Sequence, residues 1–174
     1  MNSKTRKLIF SAVVGALYAV LTMALSPISY GPVQMRISEA LCILPFFLPF
    51  TSWGLFFGCM LANVISAAGI LDVVFGSLAS LVSCLFIAMA GKKSREALKN
   101  QIIACLMPAV WNGIIVGLVL CYAFTDTAPT LVSFLVYGGQ VALGELAVMF
   151  VIGLPLMRWL PKQKFFSEQL TKYK

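Results

Sequence analysis

Apolar residues in this chain come in long blocks rather than alternating with polar ones, and short stretches rich in Pro, Gly or Lys separate the blocks. The first block, Leu8 to Leu25, has 18 residues without a charge. As a helix rising about 1.5 Å per residue, it just crosses a hydrocarbon layer of roughly 30 Å. Pro27, Gly31 and Pro32 end it, so Ser26 to Ser38 reads as a loop carrying Tyr30, Gln34 and Arg36. After Glu39 no charge appears before Asp72, a stretch too long for one span. Pro45, Pro49 and Thr51-Ser52 divide it into a short span over 39–51 and another over 53–69. The remaining blocks cover 72–90, 101–124 and 131–157, bounded by Lys92 to Lys99, by the turn Thr125-Asp126-Thr127-Ala128-Pro129, and by a basic tail from Arg158 to Lys174.

Segment 39–51 is short and broken by proline, so hydropathy alone leaves it open to a re-entrant reading. Charge placement decides the count. With six spans, Lys4, Arg6, Lys7, Lys92, Lys93, Arg95, Lys99, Arg158, Lys162, Lys164, Lys172 and Lys174 fall on one side, which is 12 of the 13 basic residues. Five spans would put the 92–99 loop opposite the N-terminus, against the tendency of cytoplasmic loops to hold Lys and Arg. The expected fold is an all-α integral membrane bundle, one domain over 1–174 with six transmembrane helices and both termini cytoplasmic. Composition agrees, since 60% of the 174 residues are hydrophobic, 11% are charged and the mean hydropathy is +0.95. The Leu8 block is read as a span rather than a signal peptide, because Ser26-Pro27-Ile28 is a poor cleavage site and more apolar blocks follow.

The net charge of +7 therefore reports orientation in a bilayer, not nucleic-acid binding. Five cysteines (Cys42, Cys59, Cys84, Cys105, Cys121) lie inside apolar blocks with no C-x-x-C pair and read as small core residues. With no histidine in the chain, a metal or haem site has little to build on, no nucleophile has a histidine base, and no cofactor is expected. No G-x-x-x-x-G-K-[ST] is present, so any ATP-driven step would belong to another subunit.

Polar groups within the spans are costly unless paired, which makes them the first functional candidates. Glu145 falls mid-way along the last span, Asn112 mid-way along the fifth, and Asn63 inside the third, with Gln140 one turn from Glu145 after Gly138-Gly139, a pair expected to loosen the helix or admit a ligand. Asp72 and Glu39 stand at the outer mouths of their spans. Each has a structural reading beside the binding one: Glu145 bonded to Asn112 between helices, Asn63 as a helix-to-helix link, Asp72 as a helix N-cap, Arg36 and Glu39 as a weak surface pair. Trp53, Trp111, Trp159 and the tyrosines read by default as interface anchors, while Trp111 and Tyr137 could also stack on a flat ligand. Small-residue stripes, Ala12-x-x-x-Ala16 with Gly15-x-x-x-Ala19 and Gly76-x-x-x-Ser80, permit close helix approach.

Four blocks together resemble the QueT-type queuosine-precursor transporters, substrate-binding (S) components of energy-coupling factor (ECF) transporters. They are Tyr30-Gly-Pro-Val-Gln-Met-Arg-Ile-Ser-Glu-Ala-Leu41, Ala62-Asn63 with Gly69 and Asp72-Val-Val-Phe-Gly-Ser-Leu-Ala79, the stretch Pro108 to Gly113, and Gly144-Glu145 ahead of Gly153-Leu-Pro155. The resemblance implies a six-helix S-component bundle in the bacterial cell membrane, with an outer substrate pocket lidded by the Tyr30 to Glu39 loop. It also implies docking through Ala12 and Ala16 on a shared coupling subunit served by two ATPases, and a 7-deazaguanine ligand, queuine or a prequeuosine base. The polar inventory suits such a base. Glu145 or Asp72 can accept its N–H and amino group together, Gln34, Arg36, Asn63, Asn112 and Gln140 can complete the set, and Trp111 or Tyr137 can stack on the ring. An S component for another vitamin or purine-like molecule, or a structural subunit without a ligand, remain the alternatives.

Overall fold

The computed structural model describes residues 2–31, 33–124 and 130–173. The expected 125–129 turn, Pro32 and Lys174 lie outside them. All regular structure among the described residues is helical. Four stretches are long and apolar enough to cross a membrane: Ser3–Ala24, Asp72–Lys93, Leu98–Phe124 and Leu131–Lys162. The first is α1, capped at its start by the Asn2 side chain. It is followed by one turn, α2 (Ser26–Ser29), which Pro27 opens.

The proline-broken segment forms a 3-10 turn over Ile37–Ile43 running into α3 (Leu44–Phe47). From Ser38 to Leu48 every residue except Leu41 is buried. Irregular backbone at membrane depth is tolerated where protein rather than lipid surrounds it. A 3-10 turn also climbs about 2.0 Å per residue, so this short piece extends further than an α-helix of equal length.

Helix α4 (Thr51–Asn63) stops six residues before the expected end at 69. The chain folds back there, through Gly69 at φ +63°, so that the Asn63 amide Nδ2 donates to the Asp72 carbonyl at 2.9 Å. Continuing the helix would carry the chain about 9 Å past that partner. A π turn over Asp72–Gly76 then leads into α5 (Ser77–Lys93), followed by α6 (Leu98–Phe124) with Pro108 inside it. Helix α7 (Leu131–Val148) begins in a capping box between Thr130 and Ser133 and continues through a second π turn, Met149–Gly153, into α8 (Leu154–Trp159). A 3-10 turn over Leu160–Lys162 and the amphipathic α9 (Lys164–Lys172) finish the chain.

Two glycine seams set the packing. Along α1 and α4, a Cβ on Gly54 would lie 1.9 Å from the Ser11 carbonyl oxygen, and one on Gly58 2.3 Å from that of Gly15. Between α6 and α7, a Cβ on Gly117 would lie 2.6 Å from Gly138 Cα. Gly138 thus serves contact, and α7 runs unbroken through the Gly138-Gly139 pair rather than loosening there. At one end of the bundle Phe10, Phe50 and Tyr173 meet, with ring centroids 5.1–6.1 Å apart. There too Phe166 of α9 packs edge-on against Phe47 at 5.6 Å.

The distribution of surface is inverted relative to a water-soluble protein. Leu8, Val13, Val20, Leu143 and Val151 are more than half exposed, while Arg36, Glu39, Asp72 and Glu145 are at most 2% exposed. Large apolar area turned outward and ionisable groups turned inward fit a lipid solvent.

Candidate functional site

The buried charged residues gather around the 3-10 segment, which Arg36 caps and which contains Glu39. Arg36 is 2% exposed and is not the surface partner of Glu39 that its spacing suggests. Its Nη2 bridges to Asp72 Oδ2 at 3.2 Å and also donates to Gln34 Oε1 at 3.3 Å, while the Tyr30 ring lies 5.5 Å from its guanidinium. Asp72 is held by this bridge and makes no N-cap bond. It fits because Gly76 stands opposite: a Cβ there would fall 2.2 Å from Asp72 Oδ1 and 2.8 Å from Asn63 Nδ2. The Gly76-x-x-x-Ser80 stripe therefore serves this centre rather than helix approach, since Ser80 Oγ donates to Glu39 Oε1 at 3.2 Å.

Glu39 accepts from the Tyr18 hydroxyl and from Ser80 on one oxygen, and from Cys42 Sγ at 3.0 Å on the other. These bonds tie the 3-10 segment to α1 and α5. Tyr18 is completely buried and so is not an interface anchor. Thr22, one turn on, bonds Ser38 at 2.6 Å. Sequence reasoning missed Tyr18, Thr22, Ser38 and Ser80. A polar pair four apart on the first span, Tyr18 and Thr22, was the available signal, since one helical turn puts both on one face.

Across the centre, the glycine seam of α6 and α7 brings Asn112 Nδ2 to 2.8 Å from Glu145 Oε1. Both residues are 2% exposed. The neighbouring Gly144 receives the loop: a Cβ on it would lie 2.3 Å from the Val33 carbonyl oxygen and 3.1 Å from that of Gln34. Gln34 itself takes φ +47°, in the left-handed region a non-glycine residue seldom occupies. Glu145 consequently lies within electrostatic range of both Glu39 and Arg36. The loop is pinned further by the Tyr30 hydroxyl, which donates to the Ala62 carbonyl at 2.6 Å. Burial pushes that phenol up to about 12, so it keeps its proton at neutral pH.

Gln34, Arg36, Glu39, Asn63, Asp72, Asn112 and Glu145 are thus brought into one closed polar centre. Three other candidates lie elsewhere. Trp111 stacks on Phe86 at 5.2 Å beside the groove between α5 and α6, Tyr137 packs against the apolar cluster of Val116, Val119 and Val141, and Gln140 is half-buried. Ala12 and Ala16 are exposed on α1, along a groove completed by Trp53, Phe57 and Leu61 of α4.

Several buried polar atoms of the centre have no hydrogen-bond partner among the described residues: Asn63 Oδ1, Asp72 Oδ1, Asn112 Oδ1, Glu145 Oε2 and the donor Arg36 Nε. Four of these five are acceptors. Each orphaned buried group costs about 1–3 kcal/mol, a cost that a ligand rich in N–H groups would remove.

Apolar helices long enough to cross a bilayer, outward-facing apolar side chains and a buried polar centre define a helical membrane protein. Its sequence places it further. The QueT transporter family model matches residues 8–162, and the chain belongs to that family. It is 33% identical over 163 residues to the queuosine precursor transporter QueT of Lactococcus lactis subsp. cremoris (strain MG1363), covering 86% of this chain and 89% of that one. No solved structure matches the chain. The family and this relative are transporters, and the chain is not an enzyme.

Proposed function

We propose that this chain is the substrate-binding membrane subunit of an ATP-driven ECF importer, and that it takes up a 7-deazaguanine queuosine precursor, queuine or a prequeuosine base. One observation carries the reading: the centre leaves four acceptors and one donor unpaired. A 7-deazaguanine presents the complement, with ring N–H groups and an amino group to donate and a carbonyl to accept the Arg36 Nε–H. A subunit that only joins helices would gain nothing from these orphans and would bear their cost.

In this proposal the chain is one transmembrane domain in a bacterial plasma membrane, crossing six times with both termini cytoplasmic. The meeting of Phe10, Phe50 and Tyr173 supports it, as do Phe166 on Phe47 and the Arg95 bond to the Phe47 carbonyl at 3.0 Å, because these contacts gather both termini and two connections at one end. The Tyr30 to Glu39 loop would then close the site from outside. A coupling transmembrane subunit and two ATPases would supply the energy, with docking through the exposed Ala12 and Ala16.

Thermal unfolding of the detergent-purified protein in a panel of vitamins and bases tests the ligand class. A deazaguanine present at a hundredfold excess over its Kd should stabilise the chain by about 2.7 kcal/mol, and other vitamins should not. Stabilisation by a different vitamin alone would overturn the substrate assignment, and mass spectrometry of the base that co-purifies checks it independently.

A further inference from the structure

Four side chains of the charged residue types are buried among the described residues, Arg36, Glu39, Asp72 and Glu145, so three acids share one cation. Their situations differ. Asp72 is compensated by Arg36 at 3.2 Å. Glu39 receives three donors, from Tyr18, Ser80 and Cys42. Glu145 has a single neutral donor, Asn112 Nδ2, and makes no ion pair; its Oε2 is unpaired, as is Asn112 Oδ1 beside it.

Resting on the deazaguanine reading, we propose that Glu145 and Asn112 form a subsite for a protonated amine, so that the protein selects precursors bearing an alkylammonium side arm over uncharged ones. Glu145 Oε2 and Asn112 Oδ1 accept two of the ammonium protons. A carboxylate in low dielectric gains far more from a cation than from a neutral group of the same size. The ring edge is left to Asp72 Oδ1 and Asn63 Oδ1, which accept its N–H groups, and to Arg36 Nε, which donates. This division assigns the two acids separate tasks: the one already paired with arginine reads the uncharged edge, and the one outside any ion pair takes the charge.

Calorimetry on the full chain in detergent, with 7-aminomethyl-7-deazaguanine and 7-cyano-7-deazaguanine as probes, tests the proposal. The two share their ring and differ in the charge of the arm. The amine should bind at least about tenfold more tightly, as a charge-assisted hydrogen bond requires. Glu145→Gln should erase most of that preference, weakening the amine at least about tenfold more than it weakens the nitrile, since Gln keeps the size but not the charge. Asn112→Leu should weaken the amine more than the nitrile and serves if Glu145→Gln does not fold. Equal affinities for the two bases, or tighter nitrile binding, would overturn the ammonium subsite and leave the deazaguanine reading standing. An amine preference that survives Glu145→Gln would overturn the assignment to Glu145. Binding of neither base would overturn the deazaguanine reading and this inference with it.

Discussion

Arg36→Ala should lower the unfolding free energy of the detergent-purified protein by about 3–5 kcal/mol, the usual cost of removing one member of a buried ion pair. The arginine is 2% exposed, bridges to Asp72 and also bonds Gln34, so its loss leaves an uncompensated carboxylate among apolar helices. Arg36→Lys should restore little, because one ammonium cannot reproduce a planar fork with several directed donors. Adding Asp72→Asn to Arg36→Ala should recover part of the stability by removing the stranded charge, yet base binding should stay lost. Thermal unfolding with and without ligand reads both effects. A loss below about 1 kcal/mol would show that the pair is solvated and peripheral.

Gly54→Ala should be nearly as damaging, although it adds one methyl. That methyl would lie 1.9 Å from the Ser11 carbonyl oxygen and 2.6 Å from its carbon, and backbone on both sides cannot swing away as a side chain can. Helices α1 and α4 would have to separate, for about 3 kcal/mol, the upper part of the usual range for overpacking. The Gly54 amide bond to Ser11 Oγ at 3.0 Å would go with them. Gly139→Ala, where nothing lies within 4 Å, is the control and should be neutral or slightly stabilising. Equal melting temperatures for the two variants would sink the account of the seam.

How much of this was legible beforehand follows from what hydropathy and spacing encode. The long blocks fixed the stretches that became α1, α5, α6 and α7 with its continuation, because length and absence of charge are local properties. The Glu145 and Asn112 pair could be anticipated from similar depth on two spans. The Arg36 bridge to Asp72 could not, since those residues are 36 positions apart and the nearer partner, Glu39, competes for the same expectation. Nor does a tyrosine announce whether its hydroxyl will meet headgroups or, as Tyr18 does, a buried glutamate. The early end of α4 at Asn63 had the same origin: the fold-back depends on a partner carbonyl supplied nine residues later.

The π turn at Asp72–Gly76 has a consequence for how such a site can change. A wide turn holds one residue more than regular winding needs, and each residue advances a helix by about 100°. Deleting one of Val73, Val74 or Phe75 would restore ordinary winding and swing Asp72 away from Arg36 without altering a single residue of the polar centre. Every polar side chain of the centre would survive in the sequence, and on the proposed reading calorimetry should still find no ligand. The aim of this acid is set by counting, so gaps in a sequence can retune the specificity of such a protein as surely as substitutions.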